Sequence, residues 1–277
     1  MDIKAIILDI DGTLLNNNKE ISDRTKTSLI QAQEKGIKLV LASGRPTTAM
    51  YKYADELQMK KHHGLLVTYN GSKVVDAQSG EVLFNEAMEV KDAKAVLEHL
   101  KQFEVMPMID KDDYLYVNDV FNNEIYWNEQ TINIIEYEAR GGNYKLCEKE
   151  DLAAFLDYKI NKILIAADPT YLSKNYKAIR EPFEDTLSCM FSADFYFEFT
   201  AKGIDKAKAL DAVLSPLNIK KEETIAFGDG HNDISMVNYA GIGVAMENAV
   251  QELKDIADRI TLSNNDDGIA HLLEELI

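Results

Sequence analysis

The sequence predicts an α/β protein in which a doubly wound parallel sheet carries an inserted α+β domain. Two observations predict this fold. At both ends of the chain, short apolar runs that stop at small or acidic residues alternate with helical patterns, as is typical of buried parallel strands. The middle of the chain instead carries strand-like alternation and many tyrosines. Because 277 residues exceed the usual size of one domain, we expect a core domain from residues 1–84 and 194–277 and an inserted domain from residues 85–193.

The first part of the chain has a β-α-β-α-β rhythm. Ser22 has the side chain of a helix N-cap, and Gly36 provides the stop signal of the same helix. The neighbouring apolar runs are short and continuous, which suits buried strands. We predict strands over 4–10, 37–42 and 65–68, one helix between Ser22 and Gly36, and a second helix over 47–57.

The inserted region is predicted to mix helices and strands. The alternation of strands and helices seen in the first part of the chain resumes near Gly203. In the insert we expect a helix over 93–100, strands over 114–117, 162–167 and 191–199, and a helix over 168–181. After Gly203 we expect helices over 205–214 and 268–276 and strands over 224–227, 243–246 and 259–262. We also expect a helix between residues 233 and 243, and another helix capped by Asn248.

The composition limits the function classes. The chain has 47 acidic residues against 30 lysines and arginines, and its formal net charge is −17 at pH 7. Nucleic acid and anionic membranes would be repelled, so we expect neither as a partner. Cys147 and Cys189 form no metal-binding spacing, and no apolar run has the length of a membrane span or a signal peptide. We therefore expect a cytoplasmic protein with reduced thiols, whose oligomeric state the sequence leaves open.

Polar side chains follow predicted strands that lie far apart in the chain. Asp9 lies at the end of the first predicted strand and Asp11 just beyond it, and Ser43 follows the second strand. Asp229 and Asp233 follow a strand near the end of the chain. In open parallel sheets, ligands bind along the carboxyl edge of the strands. Four carboxylates there would repel one another unless a cation lay among them, and carboxylate oxygens suit Mg²⁺.

The spacing of Asp9 and Asp11 suits phosphoryl transfer. One carboxylate can attack phosphorus, while the other protonates the leaving oxygen and later deprotonates water. Gly12 lets the backbone turn closely, so that the amides from Thr13 onward can form a nest for phosphate. Taken alone, however, an Asp-x-Asp-Gly sequence after a strand is often only a turn or a helix cap.

Three further residues offer contacts for a phosphate. Ser43 provides a hydroxyl group, Gly44 an unobstructed N–H, and Lys206 the positive charge that the acidic site otherwise lacks. Alone, a Ser-Gly-Arg sequence means little and a single lysine is usually solvated. Residues 228–233 (GDGHND) lack the glutamate that ends the loop of an EF-hand. The order of these elements and their shared position at strand ends favour a functional site.

Four motifs together resemble those of the haloacid dehalogenase (HAD) superfamily, and in particular its Cof-type phosphatases with a type IIB cap. The resemblance covers essentially the whole chain. Residues 244–249 (VAMENA) and the pair Asn70 and Gly71 also resemble Cof-type members. The four motifs are residues 9–15 (DIDGTLL), 43–46 (SGRP), 202–206 (KGIDK) and 228–233 (GDGHND).

The resemblance implies how the acidic residues divide the chemistry. Asp9 would be the nucleophile and Asp11 the general acid/base. Mg²⁺ would be held by Asp9, the backbone carbonyl of Asp11, and Asp229. Asn232 and Asp233 would support this site, Asp233 through water. The inserted domain would be a cap that closes over the crevice and excludes water.

The resemblance also implies which residues contact the substrate. The phosphoryl group would be bound by Thr13, Ser43, Gly44 and Lys206. Lys202 competes with Lys206 for the role of the motif-three lysine, and we favour Lys206. Arg45 and Asn70 could face the substrate, although helix packing and turn formation are the simpler interpretations. His231 is more simply interpreted as a surface loop residue.

Taken together, the sequence predicts a magnesium-dependent phosphatase that hydrolyses small phosphorylated metabolites, such as sugar phosphates or phosphorylated cofactors, through an aspartyl phosphate. A phosphomutase or an enzyme dedicated to one phosphorylated substrate is the alternative within the enzyme class, and product analysis would identify a mutase. A non-catalytic phosphoacceptor of the receiver type is a second alternative, but Asp11 and the insert count against it. The sequence does not identify the physiological substrate.

Overall fold

The computed structural model describes residues 2–127 and 129–277. Strands and helices are numbered in chain order. The strands are β1 (Ala5–Leu8), β2 (Lys38–Ala42), β3 (Leu65–Thr68), β4 (Lys73–Asp76), β5 (Val82–Asn85), β6 (Met106–Lys111), β7 (Tyr114–Val117), β8 (Glu124–Trp127), β9 (Gln130–Asn133), β10 (Lys145–Glu148), β11 (Lys162–Ala166), β12 (Leu187–Ala193), β13 (Tyr196–Ala201), β14 (Thr224–Gly228), β15 (Ile242–Ala245) and β16 (Arg259–Ile260). The helices are α1 (Asp23–Glu34), α2 (Thr47–Glu56), α3 (Val90–Leu100), α4 (Ile134–Gly142), α5 (Leu152–Phe155), α6 (Pro169–Arg180), α7 (Lys206–Leu214), α8 (Ile234–Tyr239), α9 (Gln251–Ile256) and α10 (Gly268–Leu276).

The chain forms two compact units. The first contains the residues up to Asn85 together with Ile204–Ile277, and the second contains Glu86–Gly203. None of the helices that the model describes is long and apolar enough to cross a bilayer.

The first unit is built on an eight-stranded sheet with the order β16-β15-β14-β1-β2-β3-β4-β5. The strands from β16 to β3 pair in parallel, so their carboxyl ends share one edge of the sheet. The strands β4 and β5 add an antiparallel edge that the sequence did not predict. Every residue of β1 is buried, as expected for a central parallel strand.

Helices cover both faces of this sheet. Ile6 and Leu8 point to one face, where they join a core formed with α1, α2 and α10. Ala5 and Ile7 point to the other face and join a core formed with α7, α8 and α9. Because successive side chains of a strand alternate between faces, both layers take residues from the same strand. The predicted doubly wound α/β architecture is confirmed.

The second unit has a six-stranded sheet with the order β10-β7-β6-β11-β13-β12 and a separate hairpin of β8 and β9. Ile163 and Ile165 of β11 contribute to a core with α3, α5 and α6. Leu164 and Ala166 contribute to a core on the other face with α4. This combination of a mixed sheet with helices is the predicted α+β insert.

Several features of the second unit differ from the predictions, and two of them concern its C-terminal end. The single strand expected over 191–199 is a hairpin of β12 and β13, with a turn at Asp194 and Phe195. Ser192 and Asp194 favour a turn, but the segment contains no glycine or proline, so the sequence marks the turn only weakly. Since β13 pairs with β11, the unit extends to Gly203 rather than ending at residue 193.

Two helix caps were predicted, and one of them was wrong. Ser22 caps α1, because its Oγ accepts a hydrogen bond of 3.1 Å from the amide of Thr25. The N-cap of α9, however, is Val250. The side chain of Asn248 instead donates to the carbonyl oxygen of Gly12.

Candidate active site

The site lies at the carboxyl edge of the central strands. β14, β1 and β2 are neighbours in the parallel sheet, and Asp229, Asp9 and Ser43 directly follow their last residues. Asp9 and Ser43 are buried, with 5% and 3% of their surfaces exposed. Three chain segments that are distant in sequence therefore meet at one edge, as the strand-end pattern predicted.

A buried lysine joins two of the acidic residues. Lys206 is the first residue of α7 and is 1% exposed. Its Nζ donates to Oδ1 of Asp9 at 2.7 Å, to Oδ1 of Asp233 at 2.6 Å and to the carbonyl oxygen of Ala42 at 2.8 Å. Burial acts to lower the pKa of Lys206, but the two carboxylates outweigh burial and raise it, so the lysine is charged.

The alternative lysine has a different environment. Lys202 belongs to the second unit, and its Nζ donates to the backbone carbonyl oxygens of Asp185, at 2.7 Å, and Glu184, at 3.4 Å. The lysine that contacts the motif-one aspartate is therefore Lys206.

The acidic residues crowd together. Oxygen atoms of Asp9, Asp229 and Asp233 lie within 4.8 Å of one another. Burial, followed by the charge of Asp233, raises the pKa of Asp9 well above its usual value, against the opposing effect of Lys206. Burial raises the pKa of Asp229 to about 6, although a hydrogen bond from Thr13 opposes this rise. Burial is the first cause of both shifts, and the charges of the neighbouring carboxylates add to it.

Asp233 organises the loop after β14. Its Oδ2 accepts hydrogen bonds from the amides of Asp229, at 3.0 Å, and Gly230, at 2.9 Å, while its Oδ1 binds Lys206. Both oxygens of this carboxylate are therefore engaged with protein donors. Asp233 thus fits the expected supporting position better than that of a direct metal ligand.

The loop after β1 packs against Asp229. Gly12 has a φ of +82°, and a Cβ atom at this position would lie 2.3 Å from Oδ2 of Asp229. The hydroxyl of Thr13 donates to Oδ1 of Asp229 at 2.7 Å. The Thr13 side chain is therefore bound to the carboxylate, which leaves the backbone as the part of this residue that can contact a phosphate.

The general-acid candidate is held by cations. Arg45 forms a two-pronged ion pair with Asp11, in which Nε lies 2.6 Å from Oδ2 and a terminal nitrogen lies 2.8 Å from Oδ1. Lys19 adds a third contact at 3.2 Å. Burial acts to raise the pKa of Asp11, but Arg45 and Lys19 outweigh it and lower the pKa. Arg45, predicted as a possible substrate contact, is therefore engaged with Asp11.

The loop after β2 is braced by Asn70. The amide of Asn70 donates to the carbonyl oxygen of Ser43 at 3.0 Å, and a Cβ atom at Gly44 would lie 3.0 Å from the Asn70 side chain. Oδ1 of Asn70 accepts a hydrogen bond of 3.1 Å from Asn232. The Ser43 hydroxyl accepts from the amide of Arg45 at 3.2 Å. Asn70 and Asn232 thus connect the second and fourth motifs.

The structure also adds residues that the sequence analysis missed. Lys19 contacts Asp11, and Asn248 contacts Gly12. The amide of Val250 donates to the carbonyl oxygen of Asp229 at 2.9 Å. Asn248 belongs to residues 244–249 (VAMENA), which the sequence analysis noted only for their resemblance to Cof-type members. His231 is an exposed residue, and its Nε2 lies 2.5 Å from Oε2 of Glu252.

The donor set fits a divalent cation. In the hydrogen bonds described above, Asp9 uses only Oδ1, which binds Lys206, and Asp229 uses only Oδ1, which binds Thr13. The second oxygen of Asp229 is thus left for a cation, and the second oxygen of Asp9 is left for a further ligand. Besides burial, repulsion by neighbouring carboxylates raises the pKa values of both residues. A small oxygen-preferring cation would relieve this repulsion.

Comparison with known proteins assigns the class. A family model for haloacid dehalogenase-like hydrolases matches residues 6–273, and the chain belongs to this family. The chain is 31% identical to the 5-amino-6-(5-phospho-D-ribitylamino)uracil phosphatase YcsE of Bacillus subtilis, over 100% of this chain and 97% of the relative. The protein is therefore a HAD-like phosphatase, and the receiver-type alternative is excluded.

Solved structures agree with this assignment. A haloacid dehalogenase-like hydrolase from Bacteroides thetaiotaomicron matches with a TM-score of 0.91 and 32% identity, over 99% of this chain and 100% of that chain. The HAD subclass IIB sugar phosphatase BT4131 matches with a TM-score of 0.76 and 27% identity, over 98% of both chains. The resemblance to Cof-type, type IIB members is confirmed.

Proposed function

We propose that the protein is a magnesium-dependent phosphatase that hydrolyses small phosphorylated metabolites through an aspartyl phosphate on Asp9. The observation that carries this proposal is the position of Asp9. Its carboxylate is buried at the end of the central strand, is fixed through one oxygen by Lys206, and lies beside Asp229. A carboxylate held in this way keeps its second oxygen for attack on phosphorus.

The residues that would hold the metal are Asp9, Asp229 and the backbone carbonyl of Asp11. When bound, Mg²⁺ would neutralise the negative charge of the carboxylates and of the substrate phosphate. Lys206 contributes a fixed positive charge to the same site, and its hydrogen bond to Asp9 favours the charged nucleophile.

The reaction divides into two displacements at phosphorus. In the first, the free oxygen of Asp9 forms a bond to phosphorus, the bond to the leaving oxygen breaks, and a proton on Asp11 passes to that oxygen. In the second, Asp11 takes a proton from water, the water oxygen attacks phosphorus, and the carboxylate of Asp9 is released with inorganic phosphate. Before Asp11 can carry the proton of the first step, its ion pair with Arg45 must loosen.

Groups around Asp9 would orient the phosphoryl oxygens. We propose that the Ser43 hydroxyl, the amide N–H groups of Gly44 and Thr13, and the Lys206 ammonium serve this purpose. These are the hydrogen-bond donors that stabilise charge on a transferring phosphoryl group. Once released from Asp11, Arg45 could also contact the substrate. For Asn70, the hydrogen bond from Asn232 supports a role in bracing the loops of the site rather than in binding the substrate.

The substrate class follows from the relatives. One relative is named for a phosphorylated ribitylaminouracil and another as a sugar phosphatase. We propose a phosphorylated sugar or cofactor precursor as the substrate, with no nucleic acid or membrane partner because the net charge is −17. The free cysteines Cys147 and Cys189 support a cytoplasmic location.

Hydrolysis of p-nitrophenyl phosphate by the purified protein tests the proposal. We expect inorganic phosphate to be released with Mg²⁺, to cease with excess EDTA and to resume when Mg²⁺ is restored. A panel of sugar phosphates and phosphorylated cofactors, ranked by kcat/KM, then narrows the substrate. Activity that EDTA leaves unchanged would contradict the metal dependence, and transfer of phosphate to a second hydroxyl without its release would identify a mutase.

A further inference from the structure

The segment after β15 contacts both halves of the site. The side chain of Asn248 donates to the carbonyl oxygen of Gly12 at 2.7 Å. Two residues later, the amide of Val250 donates to the carbonyl oxygen of Asp229 at 2.9 Å. One short stretch of chain thus holds the backbone of the nucleophile loop and that of the loop after β14.

A second asparagine orients the first. The amide N–H of Asn264 donates to Oδ1 of Asn248 at 3.0 Å, and the side chain of Asn264 donates to the carbonyl oxygen of Leu15 at 2.8 Å. Because Oδ1 of Asn248 faces a backbone donor, its Nδ2 must face Gly12. The two asparagines therefore fix the backbone at Gly12 and Leu15, just after Asp11.

The carbonyl of Gly12 has a special position. It belongs to the same planar peptide unit as the amide N–H of Thr13, and in a trans peptide the two groups point in opposite directions. Fixing the carbonyl oxygen therefore fixes the direction of the N–H. That N–H is one of the donors proposed above for the phosphoryl group, and the Thr13 hydroxyl is already bound to Asp229.

We propose that Asn248 is a positioning residue that aims the Thr13 amide at the transferring phosphoryl group, and that Asn264 keeps Asn248 in the orientation this requires. The inference rests on the proposed function. Asn248 is exposed, so its replacement by alanine removes two hydrogen bonds without opening the core. Its effect should appear in catalysis rather than in stability.

Three variants test this role with p-nitrophenyl phosphate as substrate. Asn248→Ala removes the donor. Asn248→Asp keeps the size and an acceptor for Asn264 but cannot donate to Gly12. We expect both to lower kcat by about 10-fold or more, since small displacements of orienting groups have effects of this size. The matched control is Asn265→Ala. The Asn265 side chain accepts a hydrogen bond from the amide of Asn17 at 3.0 Å, and we expect the variant to keep kcat within about 2-fold of the native value.

Orthovanadate inhibition provides a second measurement, because vanadate mimics the transferring group and needs the same donors. We expect weaker inhibition of both Asn248 variants and unchanged thermal midpoints. Native-like kcat and vanadate inhibition in Asn248→Asp would overturn the inference. It would also be overturned if the Asn248 variants lost activity only because their thermal midpoints were lowered. If instead the native protein hydrolyses no phosphate ester, the proposed function itself fails.

Discussion

The Nζ of Lys206 lies 2.7 Å from Oδ1 of Asp9, although the two residues are 197 positions apart in the chain. This pair bears on how so acidic a protein can bind an anionic substrate. A protein with a net charge of −17 must offer local positive charge to an anionic substrate. Lys206 supplies it from the start of α7, where two carboxylates outweigh the effect of burial and keep the lysine charged.

Replacing the lysine should affect both stability and activity. Lys206→Met removes the cation and leaves Asp9 and Asp233 buried without their partner, which typically costs about 3 kcal/mol or more of unfolding free energy. Urea unfolding in EDTA measures this cost, and p-nitrophenyl phosphate hydrolysis should fall below detection. Lys202→Met is the control and should change neither property. A Lys206→Met protein with native activity would contradict the site.

Asp229 should destabilise the metal-free protein at neutral pH. Its folded pKa of about 6 lies above the usual value of 3.8, so the folded state binds the proton more tightly than the unfolded state. The resulting stability is fully present below pH 3.8 and is lost as the pH rises through 6. Asp229→Asn avoids this loss, and we expect it to stabilise the EDTA-treated protein at pH 7 by about 1 kcal/mol after allowance for solvent screening.

The pH dependence and the metal response check this prediction together. The advantage of Asp229→Asn in urea unfolding should shrink between pH 7 and pH 5, where the native carboxyl is protonated. Added Mg²⁺ should raise the thermal midpoint of the native protein but not that of the variant. If Asp229→Asn were less stable than the native protein in EDTA at pH 7, the ionised Asp229 carboxylate would not destabilise the metal-free protein.

Arg45 should determine the pH below which the second displacement, the breakdown of the phosphoenzyme, becomes slow. The guanidinium opposes the effect of burial and keeps the pKa of Asp11 low, so Asp11 stays ionised and able to accept a proton in mild acid. Arg45→Met removes this effect. We expect the acidic limb of the rate of phosphoenzyme breakdown to move to higher pH, as measured by stopped-flow at a series of pH values. Lys19→Met should produce a smaller shift, and no shift in Arg45→Met would contradict the assignment.

Gly12 should tolerate no side chain. Gly12→Ala combines a φ of +82° with a Cβ that would lie 2.3 Å from Asp229. Gly36→Ala has a φ of +89°, but apart from its two chain neighbours no described residue has an atom within 4 Å of the added Cβ. Both variants suffer the strain of a left-handed backbone, about 1 kcal/mol, but only the first displaces Asp229, the proposed metal ligand. We expect kcat to fall about 100-fold in Gly12→Ala and to stay native in Gly36→Ala. Equal activities would contradict the close approach of the loop to Asp229.

The sequence predicted the parts of the fold and site that depend on local patterns. Apolar runs located the central strands, and small or acidic residues at their ends located Asp9, Ser43 and Asp229. Because parallel strands share a carboxyl edge, the convergence of these residues followed from the topology alone.

Features that depend on tertiary contacts could not be predicted in this way. Asn248 precedes a helical pattern and was interpreted as its cap, but its partner is Gly12, 236 positions away. The turn at Asp194 and Phe195 interrupts an apolar alternation without a breaking residue. The ion pair of Arg45 with Asp11 joins the first and second motifs through side-chain geometry that spacing does not encode.

Trapping the phosphoenzyme tests the central claim most directly. Asp11→Asn should still accept a phosphoryl group from p-nitrophenyl phosphate, whose leaving group needs little protonation, but should release it slowly. After acid quenching, peptide mass spectrometry should find one phosphoryl group on the peptide that contains Asp9, and none in Asp9→Asn. A phosphoryl group on any other residue, or sustained turnover by Asp9→Asn, would contradict the account.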